Sequence, residues 1–207
     1  MRARLAIRSS QTSLKNRIMA AINRYGLRGN DGGGKDWFSG AGRIQLNSWL
    51  MGLPEYMRIS TIEEWRLVDE METAIEKLEK QIAAKIGKIG YVRLLDTLPG
   101  VGKILAPTLY LEIGSVNRFP TAEHLASYAG LVPKVISSGG KAFHGRVSKE
   151  SNHYLKWAFV EAANCIMMHT WKYEQSHVGK LYARLKAAKG HGKAAVAVAR
   201  HLAEASW

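Results

Sequence analysis

The chain has 207 residues, enough to bury one or two cores, and its 30 Lys and Arg against 17 Asp and Glu give a net charge of +13. A single cysteine, Cys165, excludes a disulfide framework and a Cys-rich zinc site, and is expected as a buried thiol on a helix. No apolar run reaches about 18 residues, and Arg2, Arg4 and Arg8 lead into no apolar signal core, so a cytoplasmic protein without a membrane partner is expected.

Charge is uneven along the chain. Residues 1–43 carry nine basic and two acidic side chains, 44–89 six and eight, 90–133 three and three, and 134–207 twelve and four. Two basic ends around a mildly acidic middle favour a polyanionic partner for the ends, against the plainer reading of a solvated basic surface.

Residues 3–25 read as a basic helix, with Ile7, Leu14, Ile18 and Ile22 at helical spacing and Gly26 suited to its C-terminal turn. Residues 28–42, RGNDGGGKDWFSGAG, follow as a flexible connector, because their three glycines lack the Lys-Ser/Thr pair of a phosphate-binding loop. Within it, Trp37 is a candidate for stacking on nucleic acid.

Residues 60–88 form the strongest helix, capped at Ser60 or Thr61. Its Val68, Met71, Ile75, Leu78 and Ile82 make a short coiled-coil seam, expected to pair antiparallel with the Ile18 helix, with a dimer as the alternative. Residues 92–114, VRLLDTLPGVGKILAPTLYLEIG, match a helix-hairpin-helix. Its Gly100-Val101-Gly102 turn, with Lys103 behind it, brings backbone N–H groups near a phosphate at the start of the second helix. An ordinary αα-turn without DNA contact is the plainer reading, and the segment is electrically neutral.

A helix after Thr121 contains Leu125 and Tyr128 and ends by Gly130; another spans Tyr154–His169, and a last one Lys193–Ala205. Trp157 and Trp171 are assigned to core or interface. The expected fold is mainly α, with at most a short strand or two around Val132–Ile136. Residues 1–89 form a helical, coiled-coil-like part and 90–207 a second domain.

Residues 131–163, LVPKVISSGGKAFHGRVSKESNHYLKWAFVEAA, are the most informative stretch. A serine pair precedes two glycines on a turn, among Lys134, Lys141, Arg146 and Lys149, which suits a phosphodiester backbone. No His-Asp pair stands at a fixed short spacing from Ser138, so its hydroxyl has no evident base in the sequence.

LLDTLPGVGKILAPTLYLEIG, RFPTAEHLASYAGLVP and SSGGKAFHGRVSKESNHYLKWAFVEAA, in that order, resemble the C-terminal half of the Piv/MooV-type DEDD transposases, insertion-sequence recombinases guided by a bridge RNA. SLKNRIMAAINRYGL resembles the helix after that family's RuvC-like catalytic domain, and KGHGKAAVAVARHLAEASW continues the likeness weakly. The resemblance implies a nucleophilic serine at Ser138, with Ser137 one register away. Lys141, Gly145, Arg146, Lys149 and Asn152 match recurrent positions of that family's motif. The resemblance further implies DNA as partner, a guide RNA as a further candidate, and a homo-oligomer.

Magnesium would be held by four carboxylates of the RuvC-like domain. This chain is expected to lack that domain, to carry no cofactor or metal ligands of its own, and to be inactive alone. Two functions follow: a DNA recombinase part acting through Ser138, with Gly100, Gly102, Lys103, Lys141, Arg146 and Lys149 on DNA, or a non-catalytic helix-hairpin-helix DNA-binding module. An RNA-holding domain fits the charge but has no separate motif.

Overall fold

The structure is a computed structural model, described for residues 1–28, 36–138, 141–147 and 150–207, with only the backbone at 135–138, 141–144, 146 and 147. The described chain is mainly helical and divides into two compact units, Arg2–Gln81 and Ile82–Trp207.

In the first unit, α1 (Arg2–Arg24) lies antiparallel to α3 (Glu55–Ile86), with α2 (Gly42–Met51) beside them. The direction follows from the side-chain pairs: Arg4 meets Glu79, Arg8 meets Glu72 and Arg17 meets Glu64, so one number rises as the other falls. This is the intramolecular antiparallel pairing anticipated for the Ile18 helix. Between the charged flanks run Leu14, Ile18 and Ile22 of α1 and Val68 and Ile75 of α3, all buried. Burial of these apolar rows drives the pairing, because isolated helices gain little in water. Gln11 sits within the seam and is itself buried; its amide donates to the Val68 carbonyl at 3.0 Å and to Glu72 Oε2 at 2.8 Å.

Two local expectations change. Helix α3 starts at Glu55, directly after Pro54, because proline is well placed ahead of a helix and not inside one. Ser60 and Thr61 therefore lie within it, and their hydroxyls donate to the Met57 carbonyl at 2.9 and 2.7 Å rather than capping an end. Trp37 is buried, its ring 4.8 Å from that of Trp49, so its apolar bulk serves the core and not nucleic-acid stacking.

The second unit opens with α4 (Gly90–Asp96), α5 (Leu105–Ile113), a 3-10 turn at Val116–Arg118 and α6 (Ala122–Tyr128). A hairpin of β1 (Pro133–Ser138) and β2 (Lys141–Val147) follows, then α7 (His153–Met168), the single turn α8 (Thr170–Tyr173), α9 (His177–Lys189) and α10 (His191–Ala205). Helix α7 is the axis of the core. Leu155, Phe159, Ala162 and Ile166 recur at helical spacing and are buried, facing α5 through Leu109 and Ile113 and α10 through Val198 and Leu202. Alanines at 158, 162, 163, 194, 199 and 203 let these helices approach closely. The Tyr91 hydroxyl donates to the Ser206 carbonyl at 2.5 Å, and Trp207 Nε1 to the Phe119 carbonyl at 2.9 Å, fixing the end of α10. Cys165 is half-buried, its sulfur 3.8 Å from His169 Nδ1.

Candidate functional site

The α4–α5 turn joins two short helices through residues 97–104, and its two glycines do different work. Gly100 has φ +76°, a left-handed conformation, and a Cβ there would lie 2.1 Å from the Ala162 carbonyl oxygen of α7. Its N–H donates to the Tyr173 hydroxyl at 3.3 Å. Gly100 is thus committed to packing against α7. Gly102 has open space around its Cβ position, and its carbonyl accepts from Ala106 N–H at 2.9 Å as the first link of α5. Among the described residues, the N–H groups of Gly102 and Lys103 have no hydrogen-bond acceptor, and Lys103 is exposed. Unpaired N–H groups at a helix start carry partial positive charge.

The hairpin places Ser138 at the last position of β1, directly opposite Lys141 at the first position of β2. The expected loop is thus largely strand, with Ser138 at its tip beside the Gly139-Gly140 connection. Pro133 pairs with Val147 and Val135 with His144, so β2 holds one extra residue between these pairs, at Gly145–Arg146. Such a bulge bends its strand and increases the local twist. The backbone therefore brings Ser138 and Lys141 together and sets Arg146 at a bulge on the same ribbon. Their side chains, and Lys149 altogether, lie outside the described residues.

Where the hairpin returns to the helical core, Asn152 gathers three elements. Its Oδ1 accepts from the N–H groups of Tyr154 and Leu155, at 3.1 and 3.2 Å, as the N-cap of α7. Its backbone N–H donates to the Tyr128 carbonyl at 2.9 Å, at the end of α6. Its Nδ2 donates to Glu112 Oε2 at 2.9 Å, on α5, and more weakly to the Tyr128 hydroxyl at 3.5 Å. Glu112 is only 8 % exposed, so this carboxylate is held inside the unit. The Arg118 guanidinium stacks over the Phe119 and Tyr128 rings at 4.7 and 4.6 Å. The Asn152 amide, with Arg118 second, holds the Tyr128 hydroxyl below the ordinary tyrosine range by favouring its charged form.

Sequence reasoning named Asn152 only as a motif match and missed Glu112 and Tyr173. Glu112 leaves a readable trace: in LYLEI it falls three positions after Leu109, on the inward row of the helix. His153 is the first residue of α7 and is exposed.

Residues 92–178 match the Transposase IS116/IS110/IS902 family. That match runs from α4 through the glycine turn, the hairpin and α7 into the start of α9. Over 202 residues, 96 % of this chain and 54 % of the relative, the sequence is 28 % identical to the "Transposase for insertion sequence element IS1111A" of Coxiella burnetii. It is 40 % identical over 90 residues, 43 % of this chain and 22 % of the relative, to the "Insertion element IS110 uncharacterized 43.6 kDa protein" of Streptomyces coelicolor. Over 46 residues, 22 % of this chain and 14 % of the relative, it is 52 % identical to the "Pilin gene-inverting protein" of Moraxella bovis. The chain thus spans about half the length, or less, of these curated relatives. No helix among the described residues is long and apolar enough to cross a membrane.

Proposed function

We propose that Ile82–Trp207 is the DNA-handling C-terminal region of an insertion-sequence transposase, with Ser138 as the nucleophile that joins it to DNA. The observation that carries this reading is the family match over residues 92–178, which takes in the glycine turn, the serine hairpin and the Asn152 anchor of one packed unit. Ser138 Oγ loses its proton and forms a bond to the phosphorus of a phosphodiester, the bond from phosphorus to one sugar oxygen breaks, and that oxygen takes up a proton and leaves as a free hydroxyl. One phosphodiester is exchanged for another, so the strand can be rejoined by the reverse step.

Lys141, Arg146 and Lys149 are assigned to the non-bridging oxygens, whose charge grows in the pentavalent transition state. Arginine adds paired donors in a fixed plane. Gly102 and Lys103 are assigned to a DNA phosphate through their N–H groups at the start of α5, in the manner of a helix-hairpin-helix. Gly100 is assigned to holding that turn against α7. Glu112 and Asn152 act as positioning residues, since they fix the point where the hairpin re-enters the core.

The described residues do not fit the magnesium site of the resembling family: no group of three or more His, Cys, Asp or Glu among them is placed to hold a metal. Magnesium is therefore assigned to carboxylates of an accompanying domain, and no step here runs through it. A guide RNA and a second copy of the chain are assigned as further partners on the same resemblance.

The test supplies the chain with the carboxylate-bearing domain of a relative and follows covalent protein–DNA adducts. Ser138→Ala removes the adduct and leaves DNA binding in place, while Ser137→Ala keeps most of the adduct. Loss in Ser137→Ala with persistence in Ser138→Ala moves the assignment by one residue. DNA binding without any adduct in the unsubstituted protein favours the non-catalytic module.

A further inference from the structure

Beyond the far end of α7 from the serine hairpin, α7, α8 and α9 enclose an open groove of about 1020 Å³, lined by Trp171, Tyr173 and Tyr182 together with Lys180, Lys186 and Glu174. A helix of this length rises roughly 24 Å from one end to the other, so the groove is separate from the Asn152 anchor. Its shape is built into the sequence. Ser176 caps α9 by accepting from the Gly179 N–H at 3.1 Å, and a Cβ at Gly179 would lie 1.9 Å from the Tyr173 carbonyl oxygen. Glycine is required there for α9 to close against α8.

Two features point to one kind of occupant. Trp171 is 76 % exposed, although its neighbours in the fold bury Ile166, Val178 and Tyr182. A large, rigid aromatic surface is thus offered to solvent beside a concave wall, which removes the core alternative of the two roles given from sequence and leaves the interface one. The charges at this wall are mainly cationic. The Lys186 ammonium lies 5.7 Å from the Tyr182 ring centre, Lys180 also lines the groove, and Glu174 is the opposing carboxylate. An exposed indole beside the half-buried Tyr173 and the Lys180 and Lys186 ammonium groups suits an unpaired nucleic-acid strand, in which bases present π-faces and phosphates follow at regular spacing. Stacking in a duplex hides those faces.

We propose that the α7–α8–α9 groove binds an unpaired stretch of nucleic acid, with a base stacked on Trp171 and phosphates held by Lys180 and Lys186. This inference stands apart from Ser138 and does not require the chain to cut DNA.

The test measures binding of labelled oligo-dT and oligo-U of about twelve nucleotides, and of a duplex of the same length, to the full 207-residue chain. Trp171→Ala weakens single-strand binding by about 5- to 150-fold, and Trp171→Phe retains most of it. Because the side chain is exposed, the variant keeps its circular-dichroism spectrum and melting temperature. Lys180→Gln combined with Lys186→Gln lowers the single-strand salt slope by about 1.4, from counterion release at two phosphates. Duplex binding stays unchanged in all three. The oligo-dT and oligo-U arms decide which strand the groove takes. Equal single-strand affinity in Trp171→Ala overturns the proposal. So does a change confined to oligomeric state, which marks the groove as a contact between copies of the chain.

Discussion

The two units are held together by different means. In Arg2–Gln81, ion pairs flank the α1–α3 seam at Arg4–Glu79, Arg8–Glu72 and Arg17–Glu64, with Arg43 on Asp69 beside them. The apolar cluster there is small, centred on Ile18, Ile22, Leu46 and Leu50. In Ile82–Trp207 the cluster is much larger, and the ion pair Arg200–Glu204 lies within the single helix α10. Charge selects partner and direction in the first unit, where two helices must find one register. Close packing does so in the second, where glycine and alanine set how near the helices lie. The first should respond to salt and acid, the second to added or removed volume.

The largest effect expected is from Gly100→Ala. The new Cβ meets the Ala162 carbonyl and the backbone must hold a left-handed conformation, so stability falls by about 3 kcal/mol or more. A thermal melt of the full chain measures it, and a loss below about 1 kcal/mol would show that the α4–α5 turn can move away from α7.

Next is Asn152→Ala, which removes the cap of α7 and the donor to Glu112, with an expected loss of about 2 kcal/mol. Asn152→Asp sharpens the reading. It keeps the capping acceptor but sets a second carboxylate beside Glu112, so it restores little at neutral pH. Full rescue by Asp would assign the whole effect to capping.

A smaller loss is expected in the first unit. The Arg8 guanidinium, with the Gln11 amide second, holds the Glu72 carboxyl below the ordinary carboxylate range. A carboxyl shifted down in the folded state stabilises the fold above its unfolded titration, near pH 4, and that contribution disappears as pH falls through the folded-state value. Both side chains are more than a third exposed, so Glu72→Gln costs only about 0.5 kcal/mol at low salt and less at high salt. Melts at two salt concentrations and at pH 7 and 3 follow it. An effect that grows with salt would contradict the charge-guided seam.

The smallest stability effect is expected at the other glycine. Gly102→Val has room for its side chain and leaves the melt nearly unchanged, yet it crowds the N–H groups at the start of α5 and weakens duplex DNA binding. Unchanged affinity would reduce the turn to structure alone.

Much of this contrast is legible before folding. The periodic apolar rows of α1, α3, α7 and α10 announce helices, because one face of each is buried along its length. The Gly100 turn and the serine segment stand out by residue type. What escapes is what tertiary contact decides. Helices α2 and α9 lie in segments without a long apolar row, and each is completed by neighbours: Trp49 by Trp37, and Val178 and Tyr182 by the α7 core. The second strand of the hairpin hides in a basic, glycine-containing stretch whose pattern reads as loop. Trp37 is buried where stacking on nucleic acid is the candidate role, and Trp171 is exposed where the core is one of two alternatives, since nothing local tells a core tryptophan from an exposed one. Ser138 is legible by motif, and its place at a hairpin tip opposite Lys141 is legible only from the pairing register.

Mapping the covalent linkage shows which residue attacks the DNA. With the metal-bearing domain supplied and a DNA substrate present, protein trapped on DNA is digested with nuclease and trypsin. Cleavage after Lys134 and Lys141 then releases Val135–Lys141, which contains both serines. A nucleotide remnant is expected on this peptide, fragmenting to Ser138. A remnant on any other residue, or efficient strand exchange with this peptide unmodified, would contradict Ser138 as the nucleophile.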